Sequence, residues 1–263
     1  MILDTIAASS RRRAEAMKHD GRAERIQKAA EGFHTDGGKR FRERLAAPGL
    51  SFLCELKRAS PSKGVIAEEF PYLDIARTYE EAGAAAVSCL TEPDHFLGSM
   101  DCLRETAAAL SIPVLRKDFI TDVCQIEEAA LAGASAVLLI AAMLTDEELQ
   151  RFLHRTEALG MAALTEVHDG EELRRALAAG ADIIGINHRN LKDFSMDLTL
   201  TERLRPVVPP GVLCVAESGL TDRAAVRRMR KAGADAVLIG EMLMRAQDRG
   251  ALLRQMIQEN QDR

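Results

Sequence analysis

The chain has 263 residues, 47% hydrophobic and 29% charged, with a formal net charge of −5. That supplies a large core and is too apolar for long disorder, while the mild negative charge argues against a nucleic-acid binder, which must neutralise phosphates with Lys and Arg. The N-terminus lacks the apolar run of a signal peptide and no segment reaches about 18 uninterrupted apolar residues, so neither a leader nor a membrane span is expected.

Residues 1–48 read as a helical extension rich in Arg, Lys and Glu, with apolar Ile2, Leu3, Ile6 and Ala7 near its start. From residue 49 the pattern changes to eight β-rich runs: SFLCELK (51–57), AAVSCL (85–90), PVLRKDF (113–119), SAVLLI (135–140), MAALTEV (161–167), DIIGI (182–186), GVLCVAES (211–218) and DAVLIG (235–240). Helical patterns such as 144–159 and 221–232 separate them. The tripeptide AGA recurs at 82–84, 132–134, 179–181 and 232–234, each time after a helical pattern and before an apolar run. A glycine there suits the left-handed residue that ends a helix. The four glycines are 50, 47 and 53 residues apart. One strand–helix unit takes about 25–30 residues, so each interval holds two units.

Alternating strands and helices imply parallel strands, and eight such units imply closure. The fold class expected is α/β: a single (β/α)8 TIM barrel with an N-terminal helical extension, one domain over 1–263 with the extension at 1–48 and the barrel at 49–263. A doubly wound sheet is the rival, and no GxGxxG follows the first strand to support it. The extension either packs beneath the barrel or forms a lid over its active face; the sequence slightly favours packing. The five cysteines (Cys54, Cys89, Cys102, Cys124, Cys214) are scattered, without CxxC or metal-ligand spacing. They are expected to be buried and reduced in a cytoplasmic protein, with no metal site.

Barrel active sites lie at the C-terminal ends of the strands. With a side-chain period of two, Leu53, Glu55 and Lys57 share one face of the first strand. Opposite charges on one face of a buried strand must be paired or used. In the third strand, parity alone leaves open which of Arg116 and Lys117 points inward. Leu164, Glu166 and His168 share a face; so do Ile183, Gly185, Asn187 and Arg189, and Leu213, Val215 and Glu217. Glu55, Lys57, Lys117 or Arg116, Glu166, Asn187 and Glu217 thus converge on one rim, as acid–base chemistry on an oxyanionic substrate requires. Gly219 and Gly240, after the last two strands, suit the close approach of a phosphate to backbone N–H groups.

Seven ordered motifs at these strand ends resemble the indole-3-glycerol-phosphate synthase family: CELKRASPSKG at 54–64, SCLTEPDHFLGS at 88–99, PVLRKDFI at 113–120, LTEVHD at 164–169, IGINHRNL at 184–191, AESG at 216–219 and LIGE at 238–241. The likeness spans about 50–245. It implies ring closure, decarboxylation and dehydration of 1-(2-carboxyphenylamino)-1-deoxyribulose 5-phosphate to indole-3-glycerol phosphate, in tryptophan biosynthesis and without a cofactor. Lys117 resembles the general acid that protonates the C2′ carbonyl. Glu166 resembles a partner in the final dehydration, with Glu55 tuning the lysines; the acid and base of that step are shared out among Glu166, Glu55 and Lys57. Lys57 also resembles a ligand for phosphate or carboxylate, beside Gly219, Gly240 and Glu241. The flexible loop with Ser60 and Ser62 closes over the site. Asn187, Glu217 and Ser218 resemble the groups that hold sugar hydroxyls and catalytic side chains, and Arg189 a nearby support. Phe96, Phe119, Leu138 and Leu191 correspond to the apolar slot for the aromatic ring.

The chain departs from the family at His188, whose parity turns it toward the helices, and at Cys124, which touches helix packing only. His168 either steers Glu166 or is a satisfied structural histidine. The rivals are an aldolase using Lys57 or Lys117 as a Schiff base and a non-catalytic phosphosugar-binding barrel. The expected partner is a small phosphorylated molecule, with no nucleic acid and no membrane, the protein being a monomer or weak homodimer.

Overall fold

The computed structural model describes residues 2–190 and 194–261. Its centre is a closed barrel of eight parallel strands: β1 (Ser51–Leu56), β2 (Ala86–Leu90), β3 (Val114–Lys117), β4 (Ala136–Ile140), β5 (Ala162–Val167), β6 (Ile183–Asn187), β7 (Leu213–Glu217) and β8 (Ala236–Ile239). Closure runs through β1, which pairs with β8 on one side and β2 on the other, Leu53 lying opposite both Leu238 and Ala86. Each run expected from sequence forms its strand, with ends that differ by a residue or two; the sixth runs one residue further, to Asn187. The eight strands are almost wholly buried, as parallel strands must be when helices cover one face and the barrel interior the other.

The AGA glycines end helices as expected: Gly83, Gly133, Gly180 and Gly233 have φ of 97°, 87°, 97° and 86°. At the other ends of the helices, side chains supply the missing backbone acceptors. Asp122 and Thr145 form capping boxes on α6 (Val123–Leu131) and α7 (Asp146–Ala158), and Asp169 caps α8 (Gly170–Ala178). Each such cap is worth about 1 kcal/mol. Because all eight strands run parallel, the strand-to-helix turns that these caps close lie at one end of the barrel, where the site lies.

The extension divides between the two ends of the barrel, which corrects the expectation that it only packs. Helix α3 (Gly37–Leu45) closes the bottom, with Phe41 and Leu45 fully buried. Gly38 lies so close to the start of β5 that a Cβ would sit 2.4 Å from the Met161 carbonyl carbon. Helix α1 (Ile2–His19) instead crosses the opposite rim. Its Ser10 hydroxyl donates to the Phe119 carbonyl just beyond β3, and Ser9 donates to Asp94 beyond β2. Ala14 and Met17 of α1 pack on Cys124 of α6, so the unusual cysteine does touch helix packing, against the extension. All five cysteines are free and buried.

The loop after β1, which carries Ser60 and Ser62, has regular structure of its own. Ala59–Ser60 and Gly64–Val65 pair as a small antiparallel hairpin, which stands over the barrel mouth.

Candidate active site

A cavity of about 750 Å³ opens at the C-terminal end of the barrel. Glu55 from β1, Lys57 just beyond it, Lys117 from β3, Glu166 from β5, Asn187 from β6 and Glu217 from β7 all line it. The parity argument therefore holds strand by strand. It also resolves at β3: Arg116 points outward, donating to the Thr91 hydroxyl (3.1 Å) and the Gln125 carbonyl (2.7 Å) and pairing with Asp118 and Glu128. Lys117 is the inward cation.

Lys117 Nζ sits 3.6 Å from Glu166 Oε2 and 3.5 Å from Glu217 Oε2. Burial opposes its charge, but Glu217, Glu166 and Glu55 hold it protonated above the ordinary lysine range. Burial likewise opposes ionisation of Glu166, yet Lys117 and then His168 overcome it and hold this carboxyl down to about 2. Glu217 goes the other way. Burial pushes it up to about 8; Lys117 opposes this, and the negative Glu166 and Glu55 add to it. Two carboxyls on one lysine thus differ in protonation, the arrangement by which a site separates a base from a neutral hydrogen-bonding acid. Neither Glu217 oxygen receives a hydrogen bond from the described residues, Lys117 standing at ion-pair distance.

Two glycines make this packing of charge possible. A Cβ on Gly185 would lie 2.1 Å from Glu217 Oε1, and one on Gly240 would lie 2.5 Å from Glu55 Oε2. Sequence reading assigned Gly240 to phosphate approach alone; its absent side chain also seats Glu55. Glu55 in turn pairs closely with Lys57.

Beyond β7, Ser218 and Gly219 both adopt left-handed backbone, with φ of 67° and 73°. For a serine this conformation costs about 1–3 kcal/mol and persists only where neighbours impose it. His188 is one such neighbour: the Ser218 carbonyl accepts from its Nδ1 at 2.9 Å, and Thr201 Oγ1 lies 2.7 Å from its Nε2. Burial lowers the His188 pKa, so the ring is neutral and structural, facing away from the cavity as its parity requires.

Ser60, Ser62, Phe96, Phe119, Leu138, Arg189, Ser218, Gly219, Gly240 and Glu241 also border the cavity. Arg189 Nη1 donates to the Ser62 hydroxyl (3.3 Å), tying the hairpin loop to the β6 side, and Glu241 pairs with Arg245 at 2.9 Å. The rings of Phe96 and Phe119 are 5.9 Å apart and tilted by 35°, with Leu138 beside them as a further apolar wall. Leu191 lies outside the described residues.

Several lining groups escaped the sequence reading. Ile2, Leu3 and Ile6 of α1 reach the cavity; their apolar spacing signals a buried helix face but not what it covers. Glu92 is fully buried and accepts from the backbone N–H groups of Asp94, His95 and Phe96 at 3.2, 2.7 and 3.0 Å. It shapes the turn that carries Phe96. Arg13 of α1 reaches Glu92, Asp94 and Asp118 at 3.3–3.4 Å, fastening the extension to this rim.

Comparison with known proteins supplies the family context. The family model for indole-3-glycerol phosphate synthase matches residues 3–256. A protein named indole-3-glycerol phosphate synthase from Ruminiclostridium cellulolyticum is 47% identical over 253 residues, covering 96% of this chain and 97% of its own. One of the same name from Lactiplantibacillus plantarum is 47% identical over 256 residues, covering 97% and 98%. Among solved structures, thiamine phosphate pyrophosphorylase from Pyrococcus furiosus matches with a TM-score of 0.61 at 18% identity, over 80% of this chain and 96% of that one. At that identity the likeness is one of fold alone.

Proposed function

The chain belongs to the indole-3-glycerol phosphate synthase family, and from that premise we propose how its cavity performs the reaction. The activity that goes with the family is that of a carboxy-lyase of tryptophan biosynthesis. It converts 1-(2-carboxyphenylamino)-1-deoxyribulose 5-phosphate to indole-3-glycerol phosphate, CO2 and water. The observation that carries the assignment of roles is the position of Lys117 between Glu166 and Glu217 at the buried end of the cavity.

The aromatic ring of the substrate lies against Phe96, Phe119 and Leu138. Its phosphate binds at Ser218, Gly219 and Gly240, where backbone N–H groups and Lys57 meet it, with Glu241 alongside and Ser60 and Ser62 closing above. The ring carbon that bears the carboxylate attacks C2′. The carbonyl electron pair moves to oxygen, which takes a proton from the Lys117 ammonium, a donor held charged by the Glu166 carboxylate and aimed between it and Glu217. The bond to the carboxylate then breaks, CO2 leaves, and its electron pair restores aromaticity. In the last step Glu166, kept ionised, removes a C1′ proton while the C2′ hydroxyl takes a proton from Lys57 and departs as water. Glu217 and Asn187 hold the sugar hydroxyls, and Glu55 orients Lys57.

We also read the protein as a cytoplasmic monomer or weak homodimer. Five reduced thiols support the compartment. The exposed large apolar side chains Val65, Leu97, Leu131, Met196 and Val207 come from separate stretches of the chain, which supports the weak association. No helix among the described residues is long and apolar enough to cross a membrane.

The test is to mix the protein with the carboxyphenylamino-deoxyribulose phosphate and follow indole fluorescence and CO2 together. The chain has no Trp, so product emission stands clear of protein emission. Equimolar CO2 and indole are expected. Tight binding without either product, or a borohydride-trappable adduct on Lys57 or Lys117, would overturn the reading.

A further inference from the structure

His168 follows β5 directly, one position beyond the strand and on the same side as Glu166. Its Nε2 is 3.3 Å from Glu166 Oε1 and its Nδ1 is 3.0 Å from Glu172 Oε2. Glu172 sits in the first turn of α8, where Asp169 accepts from its backbone N–H at 2.8 Å. The Glu172 carboxylate also accepts the His168 backbone N–H at 2.8 Å. The acid is thereby anchored to both sides of the β5–α8 turn; it meets the imidazole at Nδ1 in a hydrogen bond, while Nε2 stands at ion-pair distance from Glu166 without one. The other oxygen of Glu166, Oε2, faces Lys117. Each Glu166 oxygen thus has its own nitrogen partner, one from β3 and one from the β5–α8 turn.

We propose that Glu172 and His168 are positioning residues for Glu166: Glu172 orients the imidazole, and the imidazole fixes Glu166 with Oε2 turned toward the reacting centre for removal of the C1′ proton. The inference rests on the role given to Glu166 above and extends it to two residues that touch no substrate. Nδ1 has a hydrogen-bonding carboxylate and Nε2 a carboxylate oxygen at ion-pair distance, surroundings that favour an imidazolium over a neutral ring. Burial works against that charge, but Glu166 and Glu172 raise the ring to about 10. The charged groups that act on it are Glu166 from β5 and Glu172 from α8. Lys117 from β3 stands on the far side of Glu166, and Asn187 from β6 is uncharged. A bystander histidine would need only one partner. Here the second carboxylate keeps the ring cationic at neutral pH, so Glu166 lies between two positive groups and stays ionised until it takes the C1′ proton.

The test compares wild type with Glu172→Gln and His168→Gln. The readouts are kcat and KM from pH 6 to 9, single-turnover CO2 release against indole formation, and the ring nitrogens by NMR. In wild type the ring is expected doubly protonated at pH 8 and kcat flat on the alkaline side. Glu172→Gln removes one of the two carboxylates that raise the ring against burial, so His168 loses its proton at lower pH than in wild type. Its kcat then falls as pH rises through neutrality, an alkaline limb that wild type lacks. His168→Gln lowers kcat by about tenfold at every pH, with KM within about twofold and CO2 release preceding indole, as expected when a transition-state contact is lost without ground-state binding. A loss of thermal stability with unchanged pH profile in Glu172→Gln, or wild-type kcat in His168→Gln, would overturn the inference while wild-type turnover stood. Wild type that released no CO2 would remove the functional reading instead, and a ring singly protonated at pH 8 would still sink the positioning pair.

Discussion

Gly185 faces Glu217 so closely that a Cβ at position 185 would lie 2.1 Å from Glu217 Oε1. Gly185 lies opposite Val215 in the β6–β7 register, so the Glu217 side chain, two residues further along β7, crosses back over the space that a side chain would fill. Gly185→Ala should push the carboxylate from its place beside Lys117. A shift of about 1 Å at a catalytic constellation costs about 10²-fold, and forced overpacking costs about 1–3 kcal/mol. A Gly185→Ala protein with wild-type kcat would show that the Glu217 position does not matter.

Lys117→Ala should abolish CO2 release as well as indole formation, since it removes the proton donor of the first step. The expected loss in kcat is at least about 10³-fold, the upper range for deleting one preorganised donor. Substrate binding, measured by calorimetry, should survive because the phosphate and ring are held elsewhere. The variant also leaves Glu166 and Glu217 facing each other without their cation, so its Tm should fall. Residual CO2 release near the wild-type rate would give the first proton to another group.

The inward polar set, Glu55, Lys57, Glu166, Asn187 and Glu217, was legible because strand side chains alternate and an inward charge or amide in a buried strand stands out. Lys117 was not separable from Arg116 on that ground: adjacent cations at a strand end have opposite parity, and the frame needs one known neighbour. Family resemblance chose Lys117, and the outward contacts of Arg116 explain the choice. The dual use of Gly240 was hidden for a different reason. What a missing Cβ makes room for belongs to the neighbouring strand, and no local pattern reports that. The same holds for α1: Ile2, Leu3 and Ile6 announce an apolar face, but only closure of the barrel decides which end of it that face covers.

Lys57→Ala should raise KM by about 10- to 100-fold, the cost of one charge-assisted hydrogen bond to an anion. It should also slow indole formation after CO2 release if Lys57 supplies the proton to the departing hydroxyl. Steady-state KM and a single-turnover trace separate the two effects. Unchanged KM would remove Lys57 from the phosphate end of the cavity.

Arg13→Ala should loosen α1 from the rim. Its guanidinium meets Glu92 and Asp118, both buried, as well as the more exposed Asp94. Exposed pairs alone would contribute under about 1 kcal/mol, but here two desolvated carboxylates lose a partner. The variant should melt about 3 °C lower and show a raised KM, because Ile2, Leu3 and Ile6 leave the cavity wall and Glu92 holds the Phe96 turn less firmly. Faster proteolysis within 2–19 would accompany the change. Identical KM and proteolysis would mean that Ser9 and Ser10 suffice to hold the helix.

Glu217→Gln should make the free protein more stable, by an amount that grows with pH. In the folded chain Glu217 keeps its proton up to about 8, whereas an unfolded glutamic acid loses it near about 4.3. Between those values the folded state binds more protons than the unfolded one, so this group lowers stability as pH rises. Below both values the carboxyl is neutral in each state and contributes nothing; above about 8 the penalty is complete. Glutamine has no proton to lose and escapes the penalty throughout. Glu166 has the opposite linkage, its depressed value giving stability at neutral pH that is lost as the solution is acidified, but it is present in both proteins and largely cancels in the difference. Urea midpoints of the two proteins should therefore nearly coincide at about pH 4.5 and separate progressively to about pH 8.5, with the variant inactive but the more stable. A constant separation across that range would mean that Glu217 is already ionised in the free site, and that its role is to balance Lys117 as a charge and not to offer a neutral acid to the substrate.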